Sequence, residues 1–364
     1  MALISIVGGG IAGLLVAREL ARHGYSVKLF EEHEAFGIPR HCTGLVSEFT
    51  FKALGRPAHE SKIMKFHTYG IATCDLGEEI ELLFNEPVYL LDRELLEKVI
   101  SEEALSLGAD LKLRTYVRAI KSSGEVEVLG NHKEKYDYVV LAEGAIRRFS
   151  RELGMCPKKL NNLRGLQAIV KIKKLTLGRP LIITCSKICK DFFAWVVPYS
   201  DDGSYIVGVA SRRNVYSSFI KLLKLISRRF STEVFITKYF GGLIPIDKPC
   251  ALTRGNVLGV GDSISLTKPI SGGGIYSIVL EVKALINALK DSVLVKSIYC
   301  EELSKLYRLI TLQYNIKKFL TYVGGYEKVV RIMLNLSMRR LVISSYDSLE
   351  LDLAETARHL LLSS

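Results

Sequence analysis

Six residues near the start of the chain, Gly8-Gly9-Gly10-Ile11-Ala12-Gly13, leave it fewer choices than any other stretch. They follow Leu3-Ile4-Ser5-Ile6-Val7, a β-branched apolar run that reads as a buried parallel strand. A helix begins at once: Leu14, Ala17, Leu20 and Ala21 recur at helical spacing, Arg18, Glu19, Arg22 and His23 fall on the other face, and Gly24 supplies the stop. Residues 25–30 form a second strand that Glu31 ends. In such a βαβ unit Gly8 permits the tight turn, Gly10 lets the backbone approach a pyrophosphate and Gly13 lets helix and strand pack closely. The amides at Ile11 and Ala12 open the helix as free donors. Glu31, followed by Glu32, stands where a carboxylate accepts from both hydroxyls of an adenosine ribose.

The second informative stretch lies about 250 residues later. Residues 256–260 read as a buried strand ended by Gly261-Asp262, and Pro269-Ile270-Ser271-Gly272-Gly273-Gly274-Ile275 opens another helix. A helix start favours nearby negative charge by about 0.3 to 1 kcal/mol, which suits the anionic edge of a reduced flavin, while Asp262 can hold ribityl hydroxyls. Two such turns fit FAD better than NAD. No second GxGxxG is present, so a reductant, NAD(P)H or ferredoxin, is expected to dock transiently.

Between these turns the pattern changes twice. Residues 63–91 alternate as short antiparallel strands, and Asp92 then caps a helix to about residue 107. Residues 110–120 and 125–129 read as a strand pair, and residues 136–142 as a parallel strand that ends in Glu143-Gly144-Ala145. A second insertion spans residues 163–240. It holds an alternating strand at 167–173, a hairpin of 192–198 with 205–210, a basic amphipathic helix at 217–230 and a strand at 233–240. The expected architecture is α/β: a Rossmann-like FAD-binding domain (residues 1–62, 91–160 and 250–292), an inserted antiparallel sheet domain for substrate (63–90 and 161–249) and a basic C-terminal helical region (293–364).

Length and composition allow this. The chain has 364 residues, 48% of them hydrophobic, and no apolar run of membrane-spanning length. The motif starts too near Met1 for a leader, so the expected location is cytoplasmic, including the cytoplasmic face of a membrane. Seven scattered cysteines are expected to be reduced, with Cys185 and Cys189 as core thiols rather than metal ligands. The net charge is +12, and Lys305, Arg308, Lys317, Lys318, Lys328, Arg331, Arg339 and Arg340 are opposed only by Glu327. That cluster suits anionic phospholipid or a solvated face; a nucleic-acid partner has only the charge behind it.

These motifs resemble the flavoprotein superfamily that holds p-hydroxybenzoate hydroxylase, and within it the geranylgeranyl reductase family. The resemblance runs from Leu3 to about Leu289. It rests on the first glycine turn with Glu31, Pro39-Arg40-His41-Cys42-Thr43-Gly44-Leu45-Val46-Ser47, Arg93, Phe193-x-Trp195-x-Val197-Pro198, Gly261-Asp262, Lys268-Pro269 and Gly272-Gly273-Gly274-Ile275. It implies flavin contacts at Glu31, Arg40, Cys42, Arg93, Gly144, Asp262, Pro269 and Gly273, and a prenyl cavity walled by Phe193, Trp195 and Pro198. Thr43 stands where the family tends to have Gly, Glu143 where relatives often have Asp, and Val197 replaces an aromatic.

The implied reaction is reduction of C=C bonds in a geranylgeranyl chain, on a lipid or a prenyl diphosphate. It needs a hydride at one carbon and a proton at the other, and His41 and Cys42 are candidate proton donors beside ordered water. The alternatives are a monooxygenase, or less readily a halogenase, on the same fold, and an RNA-binding flavoprotein.

Overall fold

In the computed structural model, which describes residues 2–130, 132–173, 175–347 and 350–351, strand Leu3–Val7 lies inside a six-stranded sheet. Tyr138–Leu141 flanks it on one side and Ser26–Phe30 on the other, both parallel. Val257–Gly259 and Asp110–Lys112 extend the sheet outward, again in parallel. Parallel pairing puts every carboxyl end on one edge, so Gly8, Glu31, Ala142 and Gly261 emerge together. Helices Ile11–Arg22 and Ile275–Ala288 pack beside one another on this sheet, with apolar side chains buried.

Both insertions join one larger antiparallel sheet. Strands Phe235–Pro245, Asn162–Lys171, Ser204–Ser211, Ala194–Ser200 and Leu181–Ile183 follow in that order, and Lys62–Ala72 and Glu79–Leu91 continue it. The two insertions meet at Leu181–Ile183 and Lys62–Ala72, a parallel pair. Alternation sorts the faces: Ala194, Val196, Val207 and Val209 pack with helix Val215–Phe230 through Phe219, Leu222 and Ile226, whereas Trp195, Val197 and Ile206 face the other way.

Several expectations need correction. Residues 110–120 are two strands: Asp110–Lys112 belongs to the parallel sheet and Val117–Ile120 starts a separate three-stranded sheet with Glu125–Val128 and His132–Lys135. Arg114, at φ +52°, makes the break. Arg18 is buried rather than solvated and pairs with Glu19 and Glu103. The cysteines are not all thiols, because Cys74 bonds Cys185 and Cys156 bonds Cys250. Parallel pairing of Ala72 with Ile183 brings the first pair level two residues on, a register that spacing along the chain does not show. Cys189 is a buried thiol, pushed up to about 12 by burial and then by Asp191.

The C-terminal region has helices Val295–Glu302, Ser304–Tyr322 and Gly325–Asn335, but then turns to strand: Arg340–Ser345 pairs in parallel with Glu79–Leu91. Residues 348–349 and 352–364 of that expected region lie outside the described residues. Half of its basic cluster is engaged internally. Arg331 pairs with Glu327, Arg339 with Glu78 and Arg340 with Glu81, while Lys317 is buried. Lys305, Arg308, Lys318 and Lys328 keep no carboxylate partner among the described residues.

Candidate functional site

The first turn is shaped by backbone contact. Gly8 has φ +107°, and a Cβ there would lie 2.3 Å from the Ala142 carbonyl oxygen. A Cβ on Gly13 would lie 1.9 Å from the Gly8 carbonyl oxygen. At Gly10 and Gly144 the space is open, with nothing within 4 Å. Helix Ile11–Arg22 has no side-chain cap and no acid in its first turn, so its first N–H groups are free for an anion. Glu31 ends its strand buried. Its Oε2 accepts from Gly9 N–H at 2.5 Å and its Oε1 from His33 N–H at 2.8 Å. Glu32 beside it is exposed.

The second turn meets the first at Gly261, where a Cβ would lie 3.3 Å from the Ala12 Cβ. Asp262 is raised by burial, which outweighs the opposing Thr267 hydroxyl bond and the positive groups Arg147, Arg93 and His41. Glu281 lies behind it. Its carboxylate accepts from Gly261 N–H, and burial pushes it up to about 8, so it is protonated at neutral pH. Gly274 has no side-chain cap at the start of Ile275–Ala288. Gly272, three residues after Pro269, closes the turn by donating to the Lys268 carbonyl at 2.8 Å. Lys268 itself is buried. Its Nζ donates to the Asp347 carbonyl at 2.8 Å and reaches Oδ1 at 3.3 Å, and burial lowers its pKa despite that partner.

The loop at residues 40–44 closes the third side. Arg40 is buried, donates to the carbonyls of Cys42 and Thr43 and stacks 4.5 Å from the Phe240 ring centroid. Cys42 lies within hydrogen-bond reach of Arg93; burial would lower the Arg93 pKa, and Glu97 and Cys42 more than offset it. His41 Nδ1 sits 2.8 Å from the Gly241 carbonyl, which requires a proton on that nitrogen. Gln167 ties the loop to the sheet. Its Oε1 accepts from Thr43 Oγ1 at 2.6 Å and Trp195 Nε1 at 3.2 Å, and its Nε2 donates to the His41 carbonyl at 3.3 Å.

Residues 6–48 match the NAD(P)-binding Rossmann-like domain family. A digeranylgeranylglycerophospholipid reductase of Methanoculleus marisnigri is 26% identical over 290 residues, 75% of this chain and 72% of that protein. An uncharacterized protein of Methanocaldococcus jannaschii is 28% identical over 284 residues, covering 75% and 71%. The solved structure of a geranylgeranyl bacteriochlorophyll reductase-like protein from Thermoplasma acidophilum superposes with a TM-score of 0.80 at 18% identity, over 99% of this chain and 98% of that one. The flavin-dependent brominase Bmp2 superposes at 0.70 with 14% identity, over 93% and 91%. The chain is a flavin-dependent oxidoreductase similar in sequence to digeranylgeranylglycerophospholipid reductases.

FAD is the cofactor of this reductase-like fold, and the residues present fit it. Gly10 and Gly144 leave a cradle that a Cβ would fill, beside two uncapped helix starts. Arg93, Asp262, His41 and Cys42 converge on one site. The aromatic residues divide. Phe193 stacks on Phe192 and meets Trp195 edge-on at 6.1 Å, and both face the site side of the sheet. Pro198 pairs with Tyr205 and falls, by alternation, on the opposite face with Val196. Trp195 lies across Gly208, where a Cβ would come within 2.4 Å of its indole.

Sequence reasoning missed Gln167, Glu281 and Asp347. Gln167 is a polar residue opening an apolar alternating strand, which is the one signal that could have marked it. Glu281 sits in a helix face that is apolar apart from Ser277 one turn before it, and Asp347 reaches Lys268 from 79 residues away.

Proposed function

We propose that this flavoprotein saturates C=C bonds in a geranylgeranyl chain carried by a glycerophospholipid or a prenyl diphosphate. The observation that carries the reading is the Gln167 junction: one buried amide fixes Trp195 of the aromatic wall to the loop that bears His41, Cys42 and Thr43. An apolar chain lying along Phe192, Phe193 and Trp195 would thereby be registered against the flavin loop. The curated relatives whose names specify digeranylgeranylglycerophospholipid as substrate support the choice of chain.

An isolated trisubstituted alkene has no carbonyl to polarise it, so protonation develops tertiary positive charge. Reduced FAD, when bound, supplies the hydride. The protein's part is to hold aromatic faces near the developing charge and to keep water away from it. His41, with Nδ1 held by the Gly241 carbonyl, has Nε2 free to pass a proton when the ring is charged, and Cys42 beside Arg93 is the other candidate. Glu31, Arg93 and Asp262 are assigned to cofactor binding, and Trp195 and Phe193 to the cavity wall. The reductant docks transiently.

Among the described residues no helix is long and apolar enough to cross a membrane. Exposed Leu312, Ile316, Phe319 and Leu336, close in sequence to Lys305, Arg308 and Lys328, suit peripheral contact with an anionic bilayer. A monooxygenase or halogenase reading has only the shared fold behind it. The test is anaerobic incubation of the reduced holoenzyme with digeranylgeranyl glycerophospholipid and with geranylgeranyl diphosphate, followed by mass spectrometry. A gain of two hydrogens per double bond is expected. Unchanged masses for both, with oxygen-dependent hydroxylation of any substrate, would overturn the reading.

A further inference from the structure

A cavity of about 350 Å³ lies between helix Ser304–Tyr322 and the end of the sheet domain, lined by Asn161, Arg212, Ile246, Lys317, Lys318 and Tyr322, with Tyr314 and Thr321 adding hydroxyls. Three cationic side chains converge there. Lys317 is buried; its Nζ donates to the Asp191 carbonyl at 2.7 Å and the Tyr326 hydroxyl at 2.9 Å. An ammonium has three donors, and the third has no acceptor among the described residues. Arg212 donates to Asn161 Oδ1 from Nη1 at 2.6 Å and faces the Asp191 carboxylate at 3.6 Å, leaving Nη2 without an acceptor among the described residues. Lys318 is exposed and has no carboxylate partner among the described residues. Among the described residues, Asp191 is the acid that faces these cations, its carboxylate toward Arg212 and its backbone carbonyl bonded to Lys317.

The place of this cavity in the fold matters as much as its charge. Lys317 Nζ stands 4.3 Å from the Phe192 ring centroid, and the same ring comes within 3.4 Å of where a Gly272 Cβ would sit. Tyr326, which shares Lys317, donates to the Ile270 carbonyl at 2.9 Å. The cavity is therefore one aromatic residue away from the flavin-end glycine turn. Its outer wall is a helix whose exposed side carries Leu312, Ile316 and Phe319, so a ligand here meets cationic donors beside an apolar surface.

We infer that this cavity is a phosphate-ester site, formed by Arg212, Lys317 and Lys318, that holds the charged end of the prenyl substrate while its chain runs toward Phe192 and Gly272. Unengaged donors on buried or clustered cations call for a multiply charged acceptor, and a phosphate offers three oxygens to them. Burial pulls Lys317 down to about 7, with Arg212 acting in the same direction and Asp191 and Cys189 against it. A bound phosphate supplies the negative charge this corner lacks.

The inference rests on the prenyl-reductase reading, and the test separates the two. Arg212→Gln/Lys318→Gln alters two exposed side chains and leaves the buried Lys317 anchor intact. With the holoenzyme, glycerol phosphate and inorganic phosphate are titrated calorimetrically, and KM and kcat are compared for a geranylgeranyl phospholipid and for uncharged geranylgeraniol. Expected are binding of glycerol phosphate that weakens by about ten-fold or more in the variant, a similar rise in KM for the phospholipid, and unchanged kinetics on geranylgeraniol. Wild-type binding of inorganic phosphate with no change in the phospholipid-to-alcohol KM ratio would assign the cavity to free phosphate and overturn the headgroup role. No phosphate binding and an unchanged ratio would overturn the site altogether while leaving the reductase reading in place. Should neither substrate be reduced by wild type, the reductase reading falls, and loss of glycerol phosphate binding in the variant still decides whether the cavity takes phosphate esters.

Discussion

The two glycine turns do related work by different means. At the first, the atoms that forbid a side chain are backbone: the Ala142 carbonyl at Gly8 and the Gly8 carbonyl at Gly13. At the second the nearest atoms are side chains, none closer than 3.1 Å: Ile244 and Phe192 at Gly272, Lys268 at Gly273 and Asp262 at Gly274. Backbone cannot move aside without breaking the sheet, whereas a side chain can change rotamer. The first turn is thus a rigid mould set by strand spacing, and the second depends on a buried polar cluster of Asp262, Glu281, Lys268 and Asp347.

The largest effect that would test this contrast is Gly13→Ala. The new methyl would overlap the Gly8 carbonyl oxygen, so the cost is expected at the upper end of the overpacking range, about 3 kcal/mol, with loss of bound flavin. Chemical denaturation and the visible spectrum check it. Gly273→Ala places its methyl 3.1 Å from Lys268 Cε, the flexible part of a side chain, and should cost under about 1 kcal/mol. Equal losses at the two positions would break the comparison.

Lys268→Met tests the cluster. Removing the ammonium leaves the Asp347 carboxylate, which also accepts from Ser47 and Thr50, buried without its cation. The expected destabilisation is about 3 kcal/mol, accompanied by release of strand Arg340–Ser345 from its neighbour, which amide hydrogen exchange at residues 340–345 would read. Retained protection there would mean that the strand pairing, rather than the ion pair, holds the segment.

A third effect comes from pH. Glu281 has a folded pKa of about 8 against an ordinary 4.5. The folded state therefore keeps a proton that the unfolded chain releases, so this group's contribution to stability is whole below about pH 4.5 and falls as pH rises toward 8. Asp262, also raised by burial, adds to the same slope. Glu281→Gln should flatten the dependence of melting temperature on pH between 4.5 and 8. An unaltered slope would remove Glu281 from the cluster's electrostatics.

The smallest effect on stability, and the sharpest on function, is Gly10→Ala. Its Cβ meets nothing within 4 Å and its φ of −73° suits any residue, so the fold should change by less than about 1 kcal/mol, toward greater stability through a stiffer unfolded chain, while flavin retention falls because the methyl occupies the cradle. Unfolding curves paired with flavin content per chain would show the two quantities separate.

The chain alone determined the strand-turn-helix at residues 3–22, the carboxyl-edge position of Glu31 and Gly261, the hairpin bearing Trp195 and the family resemblance. These rest on local periodicity and on glycines whose backbone demands are visible one residue at a time. Tertiary structure decided what no spacing encodes. It set the disulfides at Cys74–Cys185 and Cys156–Cys250, split residues 110–120 between two sheets and drew Lys317 inward from a basic run. It also brought Gln167 between Trp195 and Thr43, and Asp347 onto Lys268. The reason is physical: a buried polar contact is defined by the partner that satisfies it, and these partners lie tens to hundreds of residues away, where only strand register and packing bring them together.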